Sequence, residues 1–288
     1  MDGKILTFGR KMKHAQDHFS AIAAEYRAGR ITYPKELYEY LSSVCREKLL
    51  VWDCATGSGQ AAVDLSSHFD RVIATDISDS LLALASNIDN VMFRCAPAED
   101  SGIEPESVDL VAVAQAIHWF EHADFWKEVS RVLKPGGVLA FWGYVWPTVD
   151  DRIDALLGEF RRTIAHCWPK RSHYLQECYR EIEPPFGRIE SPDFHLEENW
   201  TVSDYLSHLA SWSGTRYFRD KSGEDPLEAI KKDIELVWGQ GTRLVRWALV
   251  LKVYRKVEQV GTDQPATAPE SKPKGNSEPE PDSEGRSQ

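Results

Sequence analysis

The chain has 288 residues, 42% hydrophobic and 27% charged, with a formal net charge of −11. That size and mix describe an ordinary globular protein with room for one large domain or two small ones. The acid excess disfavours a nucleic-acid surface, and no stretch approaches the roughly 18 uninterrupted apolar residues that a membrane helix needs.

The amino terminus, Met1 to His14, is polar and basic and lacks the apolar centre of a secretion signal. The 5 cysteines (Cys45, Cys54, Cys95, Cys167 and Cys178) are scattered, odd in number and without C-x-x-C spacing. They read as reduced thiols in a cytoplasmic protein, with no disulfide framework or zinc site. Residues 1–17 form an extension before the first helical pattern. In that pattern Phe19, Ile22, Ala23 and Tyr26 share one face. It breaks at Tyr33-Pro34 and resumes from Lys35 with Leu37, Tyr38, Leu41 and Val44. Arg27 and Arg30 lie in the connection, where an arginine can meet a carboxylate if the segment packs over a cleft.

The apolar run Leu49 to Trp52 suits a strand buried on both faces, and it ends in Asp53-Cys54-Ala55-Thr56-Gly57-Ser58-Gly59 before a helix from Gln60. Strand, glycine turn and helix is a nucleotide-binding opening. By itself it also fits a dinucleotide fingerprint, with Asp76 about 20 residues on, or an ordinary strand-to-helix turn. A second strand, Arg71 to Ser78, again ends in an acid, and Ser78 or Asp79 caps a helix carrying Leu81, Leu82, Leu84 and Ala85. Strands follow at Val91–Cys95 and Val108–Ala114, the second running into Gln115-Ala116-Ile117-His118-Trp119-Phe120. A helix from Glu121 to Leu133 stops at Lys134-Pro135-Gly136-Gly137. Val138 to Trp146 is a fifth strand. The alternation predicts an α/β fold with a parallel sheet and right-handed crossovers.

Beyond Pro147 the rhythm changes. Helices are expected at Ile153–Cys167, Thr201–Ser213 and Pro226–Trp238, and strands at Phe186–Leu196 and Leu244–Tyr254. This half is rich in aromatics, among them Trp168, Tyr174, Trp200, Tyr205, Trp212, Tyr217, Phe218 and Trp238. Such rings ordinarily pack helices onto a sheet, and collectively they can also roof an organic ligand. Residues 258–288 are dominated by Pro, Ser, Glu, Gly and Lys and predict a disordered acidic tail.

The ordered motifs resemble those of the class I S-adenosylmethionine-dependent methyltransferases, particularly trans-aconitate methyltransferase and other enzymes of small molecules. They are Tyr33-Pro34, Asp53 to Gln60, Ala114 to Phe120, Val132 to Gly137 and Trp142-Gly143-Tyr144. Ser211-Trp212-Ser213, Gly223-Glu224-Asp225-Pro226 and Val245-Arg246-Trp247 continue the set. The resemblance implies a Rossmann-like domain over residues 18–257, with seven strands ordered 3-2-1-4-5-7-6, the last antiparallel, and a lid at about 148–240. It implies that Asp53, Ala55, Gly57 and Gly59 hold the methionine part of S-adenosylmethionine, that Asp76 takes the ribose hydroxyls and that Ile77 lies against the adenine. It places Gln115 to Trp119 between cofactor and acceptor. Two positions depart from the family. Ala55 replaces the first glycine, which requires a negative φ there. Pro97 replaces the acid that meets the adenine amino group, leaving that contact to Ala98 or Glu99.

The expected function is methyl transfer to a small organic acceptor, with a carboxylate as the favoured nucleophile. His118 is the candidate catalytic group, either as a general base or as an orienting residue. Tyr26, Arg30, Trp119, Trp146 and Trp212 are the acceptor-side candidates, and no metal cluster is visible in the sequence. Two other readings remain: a binding protein without catalysis, and an NAD-dependent oxidoreductase, for which no Tyr-x-x-x-Lys pair is found. Expected partners are small molecules only, with neither nucleic acid nor membrane, and the sequence is silent on oligomeric state.

Overall fold

A computed structural model describes residues 31–257. The helix expected around Phe19 to Tyr26, the candidates Tyr26 and Arg30, the N-terminal extension and the tail from Glu258 lie outside the described residues. The first strands follow the sequence reading closely: β1 is Leu50–Cys54, β2 Arg71–Asp76, β3 Val91–Cys95 and β4 Val108–Ala114. Every residue of β1 is buried, and all of β4 except its last, as continuous apolar runs in the middle of a parallel sheet should be. β5 covers Leu133–Thr148, β6 Gly187–Ile189, β7 Phe194–Trp200 and β8 Arg243–Arg255. The helices are α1 (Lys35–Ser43), α2 (Gln60–Leu65), α3 (Asp79–Leu82), α4 (His122–Val132), α5 (Asp151–Thr163), α6 (His173–Gln176), α7 (Val202–Ser211), α8 (Ser213–Ser222) and α9 (Glu228–Trp238).

The sheet runs β3-β2-β1-β4-β5-β8-β6, with β7 also paired to β8, so there are eight strands and not seven. The expected sixth strand, Phe186 to Leu196, is two strands on one partner. β6 pairs with β8 at Val253 to Arg255, and β7 pairs with it at Arg243 to Leu249. Between them Pro192 has no N–H to give to a ladder, which breaks the strand there. β8 runs antiparallel to β5, as expected for the last strand.

Other boundaries differ from the sequence reading as well: the helix expected at Ile153–Cys167 ends at Thr163, and α6 and α8 were not expected. Two differences lie next to the sheet. The helix after β2 is a single turn, because Leu84 and Ala85 bond three residues back, to Leu81 and Leu82, and tighten the chain to its end. The helix before β5 ends at Val132, and Leu133 is already extended, paired with Val108 on β4. Lys134-Pro135-Gly136-Gly137 therefore belongs to the strand. Pro135 disfavours helix at Lys134, and Gly136 and Gly137 exchange backbone hydrogen bonds with Lys256 just beyond β8. The Lys134 ammonium meets the buried Asp109 carboxylate at 2.6 Å, and Asp109 in turn accepts from the amides of Leu49 and Leu50. This motif fastens the sheet at the end where β4 begins.

Two hydrophobic layers flank the sheet. One contains Leu37, Leu41, Leu110 and Trp142, and it continues without a break through Ile153, Phe160, Tyr205, Leu209, Ile234 and Trp238. The other packs Trp52, Phe125, Val129, Phe141, Tyr179 and Tyr254. The segment expected as a lid is thus continuous with the main core. Among the described residues no helix is long and apolar enough to cross a membrane.

Candidate active site

β1, β2 and β4 all end at one edge of the sheet, where an open α/β sheet offers a crevice. The backbone there is forced into left-handed conformations by the tight turn. Ala55 has φ 57°, Gly57 60° and Gly59 83°. The requirement of a negative φ at Ala55 is therefore not met. Its neighbours hold it in place: Thr56 N–H donates to Thr75 O at 2.9 Å and Gly57 N–H to Asp76 Oδ2 at 2.9 Å. An alanine in this region costs about 1–2 kcal/mol. At Gly59 a Cβ would stand 2.8 Å from the Phe93 ring, so only glycine fits both the angle and the space.

Two carboxylates converge on this turn. Asp76 is buried, with Oδ2 accepting from Gly57 and Oδ1 from Ser78 N–H, each at 2.9 Å. The carboxylate is thereby held square to the loop. Asp53 is fully buried; its Oδ2 accepts from the Thr56 hydroxyl, while Oδ1 has no partner among the described residues. Burial, reinforced by the charge of Asp76, pushes its carboxyl up to about 7 despite the Thr56 and Ala62 hydrogen bonds. A buried carboxyl with a bare oxygen beside a second acid is better matched to a cation than to an anion. It disfavours the diphosphate of a dinucleotide, which needs the opposite sign at such a turn. Ile77 is half-buried beside Asp76 and Ala98 is buried in the facing loop. Glu99 is partly committed elsewhere, its Oε1 accepting from Glu121 N–H at 3.1 Å.

Gln115, the residue after β4, is a second strained position, with φ 57°. Its N–H donates to Trp142 O at 2.8 Å and its side-chain amide reaches Tyr144 O at 3.4 Å. A non-glycine residue held this way at a strand end marks a functional edge more often than a structural one. His118 follows in a single 3-10 turn, Ile117–Trp119, and is buried, 6% exposed, where the sequence placed it at the mouth of the cleft. Its ring lies 4.9 Å from Trp119 and near-parallel to Tyr179 at 6.3 Å. Burial pushes its pKa down to about 4, with help from His122 and Arg171. Arg171 clamps this turn, donating to Trp119 O at 2.9 Å and Phe120 O at 2.7 Å and pairing with Glu121. His118 is covered by Trp119 and Tyr179, and Arg171 holds the carbonyl side of the same turn.

The acceptor-side candidates divide. Trp119 packs with the layer that holds Tyr179 and Phe141. Trp146 and Trp212 meet at 5.1 Å beside the other layer, with Trp168 between 5.5 and 5.8 Å from each. Tyr179 was missed by the sequence reading. It has φ 55°, is fully buried and carries a hydroxyl without a partner among the described residues. That hydroxyl lies 2.7 Å from where a Cβ on Gly143 would be, and Gln115 Oε1 lies 2.9 Å from the same point. Neither Tyr179 nor Arg171 has a local signal in the sequence, since their roles arise from a turn that returns to the sheet edge only in three dimensions.

Comparison with known proteins agrees with this geometry. Residues 52–141 match the family model described as a methyltransferase domain. A "putative methyltransferase" of Dictyostelium discoideum is 33% identical over 223 residues, covering 76% of this chain and 85% of its own length. The chain belongs to the class I S-adenosylmethionine-dependent methyltransferases. A malonyl-[acyl-carrier protein] O-methyltransferase of Marinomonas is 35% identical to this methyltransferase over 251 residues, covering 80% of the chain and 84% of its own. A solved structure described as a "putative type II methyltransferase" of Anaeromyxobacter dehalogenans is 34% identical, with TM-score 0.76, covering 80% of this methyltransferase and 100% of its own chain.

Proposed function

We propose that this methyltransferase transfers a methyl group to the carboxylate of a small organic acid, forming a methyl ester. The observation that carries the reading is the paired acids Asp53 and Asp76 on a strained glycine turn, a cation receptor next to an edge lined by Gln115 and aromatic rings. In this reading Asp76 accepts from the ribose hydroxyls and Ile77 covers the adenine face. Asp53 Oδ1 receives the cationic methionine end, along the backbone of Ala55, Gly57 and Gly59. Ala98 and Glu99 close the adenine side, and Gln115 borders the reacting centre. S-adenosylmethionine, when bound, supplies a methyl group on a positively charged sulfur whose thioether is a good leaving group.

The chain's task is then to align the acceptor and exclude water, not to move a proton. A carboxylate is anionic at neutral pH, so its oxygen forms the new C–O bond as the C–S bond breaks, the two charges cancel and no base is needed. His118, held near pKa 4, is neutral and weakly basic at pH 7, which suits an orienting group better than a general base. The ester relative from Marinomonas supports the same class of product.

The test is label transfer. The enzyme is incubated with methyl-labelled S-adenosylmethionine and a panel of small mono-, di- and tricarboxylic acids, and the products are treated with base. Volatile labelled methanol is the expected outcome. Label that is transferred but stable to base would replace the ester reading with methylation at nitrogen, carbon or an ether oxygen.

A further inference from the structure

Arg161, near the end of α5, is a half-buried arginine without an acid partner among the described residues, whereas Arg152 and Arg162 on the same helix are exposed. Arg171 pairs with Glu121, Arg219 with Asp225, Arg243 with Asp150 and Arg246 with Glu197. The Arg161 guanidinium instead sits 3.9 Å over the Trp146 ring, and its Nε is buried with no acceptor among the described residues. Burial also lowers its pKa, so the cation is partly stripped of water without a carboxylate in return. Trp146 continues into an aromatic corner with Trp168 at 5.5 Å and Trp212 at 5.1 Å, and Phe160, the residue before Arg161, packs 6.1 Å from Trp212.

A guanidinium on an indole face keeps its N–H donors in its own plane, where they fit the two oxygens of a carboxylate side by side. A buried N–H without an acceptor is costly to leave unmade, so its persistence points to a partner brought by a ligand. The position is also suitable. Trp146 lies four residues past Trp142, whose carbonyl holds Gln115, on a strand that runs beyond the sheet edge. Four strand residues span about 13 Å, the length of a small organic molecule.

We infer that Arg161, stacked on Trp146 and walled by Trp168 and Trp212, anchors a carboxylate of the acceptor other than the one methylated. The acceptor is then a di- or polycarboxylate whose carbon body lies against the rings. This rests on the proposed carboxylate reading and extends it with a specificity-determining residue remote from the reacting atoms.

The experiment is calorimetry on the full chain saturated with S-adenosylhomocysteine. Succinate, glutarate, fumarate and phenylsuccinate are each titrated beside the neutral diamide of the same skeleton, with inorganic phosphate as a further arm, into wild type, Arg161→Gln and Arg161→Lys. Wild type should bind at least one carboxylate tenfold or more tightly than its amide. Arg161→Gln should erase that preference, Arg161→Lys should retain part of it, and S-adenosylhomocysteine affinity should be the same in all three. No carboxylate preference in wild type, a preference that survives in Arg161→Gln, or phosphate bound as tightly as any carboxylate would each overturn the anchor. Loss of S-adenosylhomocysteine binding by wild type would strike the cofactor reading instead, so the two failures are told apart. Should Arg161→Gln not fold, the partial retention expected of Arg161→Lys carries the test.

Discussion

The edge proposed to hold the cofactor and the aromatic half are built on different principles. At the ends of β1 and β2 the site is mostly backbone: three left-handed residues in five positions, with Asp76 set by the amides of Gly57 and Ser78 and Asp53 by the Thr56 hydroxyl. Between β5 and β8 it is side chain: tryptophans and a guanidinium meeting from β5, α5 and the segments before α6 and α8. A backbone site is fixed by short-range geometry and changes little when surrounding side chains change. A side-chain site depends on how whole helices pack, and it is where one fold can adopt different acceptors.

Four changes bear on this contrast. The largest effect belongs to Gly143→Ala, which sets a methyl group against the Tyr179 hydroxyl at 2.7 Å, with the Tyr179 ring fixed between Phe141 and His118. A loss of about 1–3 kcal/mol in urea unfolding is expected, as for overpacking elsewhere. An unchanged midpoint would mean that the tyrosine moves freely and that the aromatic half is softer than it looks.

Next comes the pH dependence of cofactor binding. With its carboxyl pushed up to about 7, Asp53 is protonated below that pH and ionised above it. A cationic ligand selects the ionised form, so affinity should fall about tenfold per pH unit below 7. Binding at pH 6 should release about one proton, visible in buffers of different ionisation enthalpy. Asp53→Asn should remove this dependence. In the free protein the raised pKa makes this group's contribution to stability fullest below its unfolded value of 3.8 and lost as pH rises through 7.

A smaller effect is expected for His118→Ala: at most about a tenfold fall in kcat, with a profile that is flat from pH 6 to 8 at saturating S-adenosylmethionine in wild type and variant. A loss of about a hundredfold or more, with a titration that disappears, would make His118 a base after all. The smallest belongs to Ala55→Gly. Relief of the left-handed strain outweighs the greater freedom of glycine in the unfolded chain by less than about 1 kcal/mol. A slight rise in melting temperature with unchanged cofactor affinity is expected. A fall would show that the alanine methyl packs against something that matters.

Legibility in the sequence follows the same division. Asp53, Gly57, Gly59 and Asp76 announce themselves because strand, turn and helix are local, and period and glycine placement report them directly. The strand boundaries of β3 and β4 were legible for the same reason. His118 was legible as a residue but not as a buried one, since one of the rings that cover it, Tyr179, arrives from some sixty residues away. Trp146 and Trp212 were recognisable as acceptor candidates, but their separation from Trp119 follows from the two faces of the sheet. Arg161 reads in sequence as one more charge on an amphipathic helix, and only the crossing of α5 over β5 puts it on an indole ring.

The central claim, that the acids at the ends of β1 and β2 hold the cofactor, is tested most directly by titrating S-adenosylmethionine into wild type and Asp76→Ala by calorimetry. Removing a carboxylate that braces Gly57 and Ser78 and accepts from the ribose should cost about 1.5–3 kcal/mol. That corresponds to a roughly ten- to hundredfold weaker Kd in a variant whose circular dichroism is that of wild type. Equal affinity in a folded Asp76→Ala protein would contradict the account.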